Sequence, residues 1–316
     1  MMNISQERLQ RAQVSLDGLS VGDSFGGYFF MRSPTDSSRL TNRMLPAAPW
    51  NYSDDTNMAL SIFSNLRQYG EINQGRLALS FADRYDQSRG YGPAMRRLLL
   101  RIHEGEAWHE ASKRLFAGQG SFGNGGAMRV APLGAYFADD MTTVVEQARQ
   151  SCETTHAHPE GIAGAIAVAV AAALAVQVRD SSEKPSVKAY LGHILPFIPD
   201  SEVHEKVRHA YNLDADASVR PAVSALGNGN GLSAQDTVAF TLWCAAHHLD
   251  NFEEALWLTV SGGGDVDTNC AIVGGIVAAY VGSEGIPPIW KSSRETLPNW
   301  PFLEDDANPK GDFESE

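Results

Sequence analysis

The sequence predicts a mainly helical protein with a single core, and three observations lead to this prediction. Apolar residues recur near a period of 3.6 over most of the chain, which is typical of helices with one buried face. Runs of alternating β-branched or aromatic residues, which would indicate strands, are nearly absent. The 316 residues, 43% of them hydrophobic and 20% charged, have ordinary globular composition, and no linker divides them into two domains.

Each helix is predicted from its apolar spacing and from the residues at its ends. The second begins at Ser53, Asp54 and Asp55, because Ser caps helices and acids favour the first turn. The segment 157–179 consists mostly of Ala, Gly and Val, so neighbours can approach it closely and we expect it at the centre. In chain order, the predicted helices span residues 5–19, 54–69, 75–87, 92–104, 107–116, 142–153, 157–179, 186–195, 202–212, 235–248, 251–261 and 267–281.

Loops are expected between these helices. The longest runs from Arg32 to Trp50 and contains three prolines, and Gly-rich loops are expected at 118–126 and 262–264. The domain is expected to cover residues 1–302. Residues 303–316 form an acidic tail that we expect to be weakly ordered.

Composition and charge exclude several classes of protein. The net charge of −13, without any basic run, argues against nucleic-acid binding. Residues 161–178 carry no charge, but their Ala-rich composition predicts a buried helix rather than a membrane span. Cys152, Cys244 and Cys270 are odd in number and widely spaced, which predicts reduced thiols in a cytoplasmic protein, and the polar N-terminus is no signal peptide. We expect a monomer, since no heptad run suggests an oligomer.

Two short acidic clusters are candidates for chemistry, and each begins a predicted helix. The first is Ser53-Asp54-Asp55-Thr56, and the second is Gly264-Asp265-Val266-Asp267-Thr268. Either cluster alone is most simply a helix cap. Together they offer four carboxylates and two hydroxyls, a set of oxygen ligands that suits two hard cations such as Mg²⁺, Mn²⁺ or Ca²⁺ better than zinc.

Two further segments are candidates for binding. The loop 118–126 (GQGSFGNGG) is either a flexible connection or a nest of backbone N–H groups for phosphates. It lacks the Gly-Lys-Ser/Thr of a Walker A loop and the preceding strand of a Rossmann fold. His156, just before the central helix, is either part of a helix cap or a contact for a ligand phosphate or ribose.

The same segments, in the same order, make the sequence similar to the ADP-ribosylglycohydrolase family from Gly18 to about Gly282. The blocks that carry this resemblance are GLSVGD (18–23), SDDT (53–56), GNGGAMR (123–129), Thr155-His156 and GDVDT (264–268). The resemblance implies a compact orthogonal all-α bundle and a binuclear Mg²⁺ (or Mn²⁺) centre. It also implies hydrolysis of the glycosidic bond that joins ADP-ribose to a protein side chain.

The resemblance also implies roles for individual residues. Asp54, Asp55 and Asp267 would be catalytic, and Ser53 stands where the family usually has Thr. The implied metal ligands are Ser53, Asp54, Asp55, Asp265, Asp267 and Thr268. The implied ADP-ribose contacts are Gly120, Ser121, Phe122, Gly123, Asn124, Gly125 and His156, with Tyr91 and Phe116 as candidate adenine or ribose contacts.

One departure from the family pattern predicts which linkage this protein cleaves. Members that act on serine-linked or polymeric ADP-ribose carry a Glu a few residues after the Gly-Asp pair, and here none occurs between Glu7 and Glu71. We therefore expect ADP-ribosyl-arginine as the substrate. Asp36 and Asp86 are candidates to replace the missing acid, which would instead allow a serine or O-acetyl-ADP-ribose linkage.

The expected partner is an ADP-ribosylated protein. One candidate for the modifying enzyme is an ADP-ribosyltransferase toxin, to which this chain would give immunity. One alternative is a non-catalytic protein that binds ADP-ribose or occludes such a toxin. Another is a different dimetal hydrolase, such as a phosphatase.

Overall fold

Helices make up the regular secondary structure of residues 4–30, 34–181, 183–214 and 216–303, which this computed structural model describes. Within these residues no strand is present, and only two isolated bridges join extended segments. The prediction of an all-α fold is confirmed. The helices are α1 Ile4–Phe30, α2 Pro34–Thr41, α3 Asp54–Tyr69, α4 Gln74–Asp83, α5 Pro93–His103, α6 Trp108–Gly118, α7 Ala131–Tyr136, α8 Met141–Glu153, α9 Pro159–Val178, α10 Val187–Ile194, α11 Glu202–Asn212, α12 Val219–Leu226, α13 Ala234–His247, α14 Phe252–Ser261, α15 Val266–Gly285 and α16 Pro288–Ser293.

Helix α3 coincides with its predicted bounds because its end signals are local. The Ser53 hydroxyl accepts the N–H of Asp55, and Gly70 takes a left-handed conformation that ends the helix. Other predictions were wrong. Helix α1 continues to Phe30 rather than ending at residue 19, and α2 lies inside the predicted loop from Arg32 to Trp50.

Three short helices, α7, α12 and α16, were not predicted. Each has only six to eight residues, which is too short for a 3.6-residue period to stand out. Of the predicted tail 303–316, residues 304–316 lie outside the described residues.

The longest helix, α1, lies directly against α15. Gly18, Gly22 and Gly26 repeat every four residues on the facing side of α1. A Cβ atom on Gly22 would overlap the carbonyl oxygen of Cys270, and one on Gly26 would overlap that of Val266. The two backbones therefore approach more closely than residues with side chains would allow, which brings Asp23 of α1 next to the N-terminus of α15.

Helix α9 is the predicted central helix. It packs against α7, α8, α13 and α15, and its small residues let them come close: a Cβ on Gly164 would lie 2.8 Å from Cβ of Ala234. Two helices, α9 and α15, are long and apolar enough to cross a membrane, but 78% of the apolar window of each is buried inside the protein. Such burial is what core helices of a globular protein show.

Candidate active site

The two predicted acidic clusters come together in one pocket of about 480 Å³. Asp54 and Asp55 open α3, while Asp265 and Asp267 stand at the start of α15, and all four line the pocket together with Thr268. The fold thus brings the N-termini of α3 and α15 together. Because a helix N-terminus carries partial positive charge, each helix stabilises the carboxylates at its own start.

A fifth acid, Asp23, belongs to this cluster and was missed as a site residue. It is completely buried on α1, and one oxygen each from Asp23, Asp55 and Asp267 lie within 4.8 Å of one another. Its carboxylate accepts the backbone N–H of Ser53 and that of Thr56. The Gly22-Asp23 pair was part of the resemblance, but a single Asp in a helix gives no local sign that it faces other acids.

Burial raises the pKa of all five carboxyl groups. The pKa values of Asp23 and Asp265 rise to about 7, and the negative charge of Asp267 adds to the effect of burial in both. The pKa values of Asp54 and Asp55 rise well above their usual range for the same two reasons, burial first and neighbouring carboxylates second. Without a compensating positive charge such groups take up protons, so they stay ionised together only when a cation lies among them.

The chemistry of these side chains fits a divalent cation. No Lys or Arg is among the described residues that line the pocket. Asp55 Oδ1 is buried without a hydrogen-bond partner in the described structure, whereas Oδ2 accepts the Ser53 hydroxyl at 2.7 Å. Carboxylate and hydroxyl oxygens are the ligands that Mg²⁺ and Mn²⁺ prefer. The cluster is therefore a candidate metal site, and the individual ligands stay predictions.

The Gly-rich loop forms the wall next to the acids. Four of the implied ADP-ribose contacts, Ser121, Gly123, Asn124 and Gly125, line the pocket, and their contact with a ligand stays a prediction. Asn124 is fixed by its side-chain amide, which donates to Asp265 Oδ2 at 2.7 Å. The loop is thereby tied to the start of α15.

Two residues of this loop, Gly120 and Phe122, are not among the residues that line the pocket. Gly120 has a φ of 76° and packs so closely on the next segment that a Cβ would lie 2.7 Å from the backbone N of His158. The Phe122 ring lies 5.8 Å from the Phe116 ring, and its carbonyl accepts the N–H of Ala234. Both residues make contacts within and next to the loop, and their contact with ADP-ribose stays a prediction.

His156 lies beneath the loop and lines the pocket. A Cβ on Gly125 would lie 2.7 Å from Cε1 of its ring, so a residue larger than Gly would displace the imidazole or the loop. Burial lowers the pKa of His156 to about 3, which makes it neutral at physiological pH. His158, two residues on, instead accepts the N–H of Glu160 and caps α9.

A buried cation stands behind His156. Arg129 is fully buried, with its guanidinium 4.4 Å from the centre of the Phe81 ring. It donates to the carbonyl of Ser151 at 3.0 Å and to the hydroxyl of Thr155 at 2.8 Å, and Thr155 in turn contacts Nδ1 of His156 at 2.8 Å. Burial lowers the pKa of Arg129 only to about 10, so the side chain remains charged.

The comparisons with known proteins agree with this geometry. The sequence model of the family described as ADP-ribosylglycohydrolase matches residues 4–309. The chain belongs to this family. A solved structure titled "ADP-ribosylglycohydrolase-related protein complex" has the same fold, with a TM-score of 0.65, 24% identity and 92% of this chain and 93% of that chain covered.

Several curated relatives of this ADP-ribosylglycohydrolase family member span nearly its full length. ADP-ribosylhydrolase ARH3 of Homo sapiens is 28% identical over 327 residues, covering 91% of this chain and 90% of that protein. The ADP-ribosylhydrolase ARH3 of Bos taurus is 29% identical, with 91% and 89% covered. An uncharacterized protein of Archaeoglobus fulgidus is 31% identical, with 91% and 92% covered.

The rim of the pocket contains two exposed apolar side chains. Phe116 is 50% exposed and Leu232 is 57% exposed, and both line the pocket of this ADP-ribosylglycohydrolase. Tyr91 is placed beside the pocket instead: its hydroxyl accepts the side-chain amide of Asn57 at 2.8 Å, and its ring packs on Tyr85. Its neighbours Gly90 and Gly92 form the lining there.

Of the two candidates to replace the missing Glu, the described one, Asp86, does not line the pocket. Asp86 is exposed and caps a short turn through Ser88, whose hydrogen bonds lower the pKa of Asp86, and it is not part of the pocket lining. The Asp36 side chain lies outside the described ones. In the turns of α1 that follow Asp23, Phe25 and Phe29 are buried, and Tyr28 faces outward and donates its hydroxyl to the carbonyl of Ala47.

Proposed function

We propose that this ADP-ribosylglycohydrolase cleaves the bond between C1″ of ADP-ribose and an arginine side chain, and so reverses mono-ADP-ribosylation of a protein. One observation carries the proposal: a single pocket is lined by Asp54, Asp55, Asp265 and Asp267, by the Gly-rich loop and by His156. Backbone N–H groups of such a loop suit a diphosphate, and the acids suit the adjacent ribose. The pocket thus has complementary groups for both halves of the ligand.

The reaction requires stabilisation of positive charge on the ribose. Breaking a glycosidic bond develops oxocarbenium character, which nearby carboxylates such as Asp267 stabilise. We assign the role of general acid–base group to Asp54, because it lines the pocket and accepts no hydrogen bond from another side chain in the described structure. The Asp55 carboxylate, by contrast, accepts the Ser53 hydroxyl. Asp55 would then act mainly as a metal ligand.

We propose two Mg²⁺ ions, or Mn²⁺ ions, as cofactors. The residues that would hold them are Ser53, Asp54, Asp55, Asp265, Asp267 and Thr268, to which the geometry adds Asp23 as a neighbour. When bound, such ions supply Lewis-acid charge for the ribose hydroxyls and lower the pKa of a water molecule. The chain itself orients these carboxylates through the helix starts and through Asp23.

The arginine linkage rests on the chemistry of the first helix. The acids lining the pocket in the described structure are all Asp, and no Glu follows Asp23 before Glu71, whereas members that act on serine-linked ADP-ribose carry one a few residues after their Gly-Asp pair. A second candidate is an O-glycosidic linkage such as serine or O-acetyl-ADP-ribose. The observation that favours it is the similarity to proteins named ADP-ribosylhydrolase ARH3 over nine tenths of the chain.

The cellular setting that we propose is a cytoplasmic monomer. The three buried free cysteines are typical of a reducing compartment. The substrate would be a protein modified by an ADP-ribosyltransferase, and immunity against a toxin of that class is one such role. Neither a nucleic acid nor a membrane is proposed as a partner.

The test is the release of free ADP-ribose from two peptides, one modified on arginine and one on serine, each with and without Mg²⁺. We expect Mg²⁺-dependent release from the arginine peptide alone. Release from the serine peptide alone would overturn the linkage and keep the hydrolase. Binding of ADP-ribose without release from either peptide would favour a non-catalytic binding protein, and turnover of simple phosphate esters instead would favour a phosphatase.

A further inference from the structure

A chain of hydrogen bonds runs from Arg129 through Thr155 to His156, and the chemistry of its members fixes its direction. An arginine side chain has donors only, so the 2.8 Å contact places the hydrogen on Arg129 and uses a lone pair of the Thr155 oxygen. The single hydroxyl hydrogen of Thr155 is then free for another acceptor. The other polar atom that contacts this oxygen in the described structure is Nδ1 of His156, also at 2.8 Å.

It follows that Nδ1 is the acceptor and that the imidazole carries its proton on Nε2. If Nδ1 carried a proton, the hydroxyl hydrogen of Thr155 would have no acceptor. Thr155 is fully buried, so this loss would not be made good by water. Burial, and the charge of Arg129 as a smaller cause, lower the pKa of His156 and keep the ring neutral. Its two nitrogens therefore differ, one accepting and one donating.

The donating nitrogen lies next to the Gly-rich loop, and His156 is one of the residues that line the pocket. Nε2 has no hydrogen-bond partner in the described structure, and it would lie 2.9 Å from a Cβ on Gly125 and 3.3 Å from one on Gly123. The N–H group consequently lies against the glycines of the candidate phosphate loop. We infer that it can donate to a ligand oxygen bound at this loop.

We propose that Arg129 and Thr155 are positioning residues that hold His156 in the Nε2-protonated form, so that it donates one hydrogen bond to a diphosphate or ribose oxygen. The ligand half of this inference rests on the proposed function, whereas the tautomer does not. Arg129 has no carboxylate partner in the described structure, so its charge also favours an anion bound above the loop.

The tautomer is measured directly on the whole protein by NMR of ¹⁵N-labelled histidine. The signals of His156 are identified by their loss in His156→Gln. We expect a pyrrole-type Nε2 and a pyridine-type Nδ1 in the wild type. An Nδ1-protonated ring, or an imidazolium at neutral pH, would overturn the proposal whether or not the protein hydrolyses ADP-ribosyl bonds.

The role of Thr155 is measured by two substitutions and a matched control. Thr155→Val removes the hydroxyl, and we expect a mixture of tautomers and a Kd for ADP-ribose raised about tenfold. Thr155→Ser should keep the wild-type tautomer and affinity. Thr154→Val changes an adjacent buried hydroxyl that donates to Ser151 and not to His156, so it should also leave both unchanged.

These outcomes separate positioning from a merely structural role. A tautomer and a Kd unchanged in Thr155→Val would refute the proposal, and so would a loss of affinity in Thr155→Ser equal to that in Thr155→Val. Failure of the wild type to bind ADP-ribose would refute the ligand half. If Thr155→Val does not fold, the wild-type spectrum and Thr155→Ser decide the question.

Discussion

Asp23 Oδ2 accepts two hydrogen bonds from Thr56, one from its hydroxyl at 2.5 Å and one from its backbone N–H at 3.1 Å. A residue of the first helix thereby fixes the start of α3, which carries two of the candidate metal ligands. Hydrogen bonds to a carboxylate are among the stronger ones in proteins. Asp23 consequently serves both as a neighbour in the acidic cluster and as the group that orients it.

Asp23→Asn should lower metal affinity and turnover about 10- to 100-fold. The Asn side chain is uncharged and has one acceptor oxygen where the Asp carboxylate has two. The measurements are kcat/KM and a titration with Mg²⁺. Asp17→Asn makes the same change two turns earlier on α1, where Asp17 pairs with Lys291 near the surface, and should have little effect. Equal losses in both variants would contradict the role of Asp23.

Gly22→Ala should separate α1 from α15, because its Cβ would overlap the carbonyl oxygen of Cys270. We expect a loss of about 1–3 kcal/mol in the free energy of unfolding by urea, together with weaker Mg²⁺ binding. Gly27→Ala is the control: this exposed position of the same helix has its nearest neighbour atom at 4.0 Å. Gly27→Ala should raise the free energy of unfolding slightly, by less than about 1 kcal/mol.

Asp54→Asn and Asp267→Asn should each abolish turnover with little loss of folding. Without metal, both variants should be more stable than the wild type, since each removes one of several buried like charges. Mg²⁺ at about 100 times its Kd should stabilise the wild type by about 2.7 kcal/mol and the variants less. Thermal unfolding with a chelator and with added Mg²⁺ measures both effects. Near-normal activity in both variants would contradict the ligand assignment.

Gly125→Val should raise the Kd for ADP-ribose at least about tenfold, which corresponds to about 1.4 kcal/mol. The physical reason is the 2.7 Å separation between the added Cβ and the His156 ring. Isothermal titration with ADP-ribose measures the change. Gly75→Val serves as the control, since Gly75 lies outside the pocket lining and has its nearest neighbour atom at 3.8 Å. An unchanged Kd in Gly125→Val would show that the loop does not hold the diphosphate.

The cysteines should not react with iodoacetamide in the folded protein. All three are buried, and burial raises the pKa of Cys152 to about 12 and the pKa values of Cys244 and Cys270 further. Because the thiolate is the reactive form, alkylation should require unfolding. Mass spectrometry before and after urea treatment measures this. Rapid modification of the native protein would contradict the packing of the helices that carry them, α8, α13 and α15.

Signals within one helix were sufficient to predict most helices and the two acidic clusters. Helix α3 was predicted at its true bounds because Ser53 and Gly70 act on residues within a turn of themselves. The extension of α1 to Phe30 was missed, since its glycines lower helix propensity in isolation and become favourable only against α15. Side-chain burial against a distant helix is not visible in local sequence.

The sequence by itself determined the helical fold, the acidic clusters at two helix starts, and the Gly-rich loop with His156. Tertiary structure decided the rest: that Asp23 joins the acids, and that Arg129 and Thr155 stand behind His156. Caps and periodicity act over a few residues, whereas these contacts join helices far apart in the chain. A buried charge is stable only beside the partners that such packing supplies.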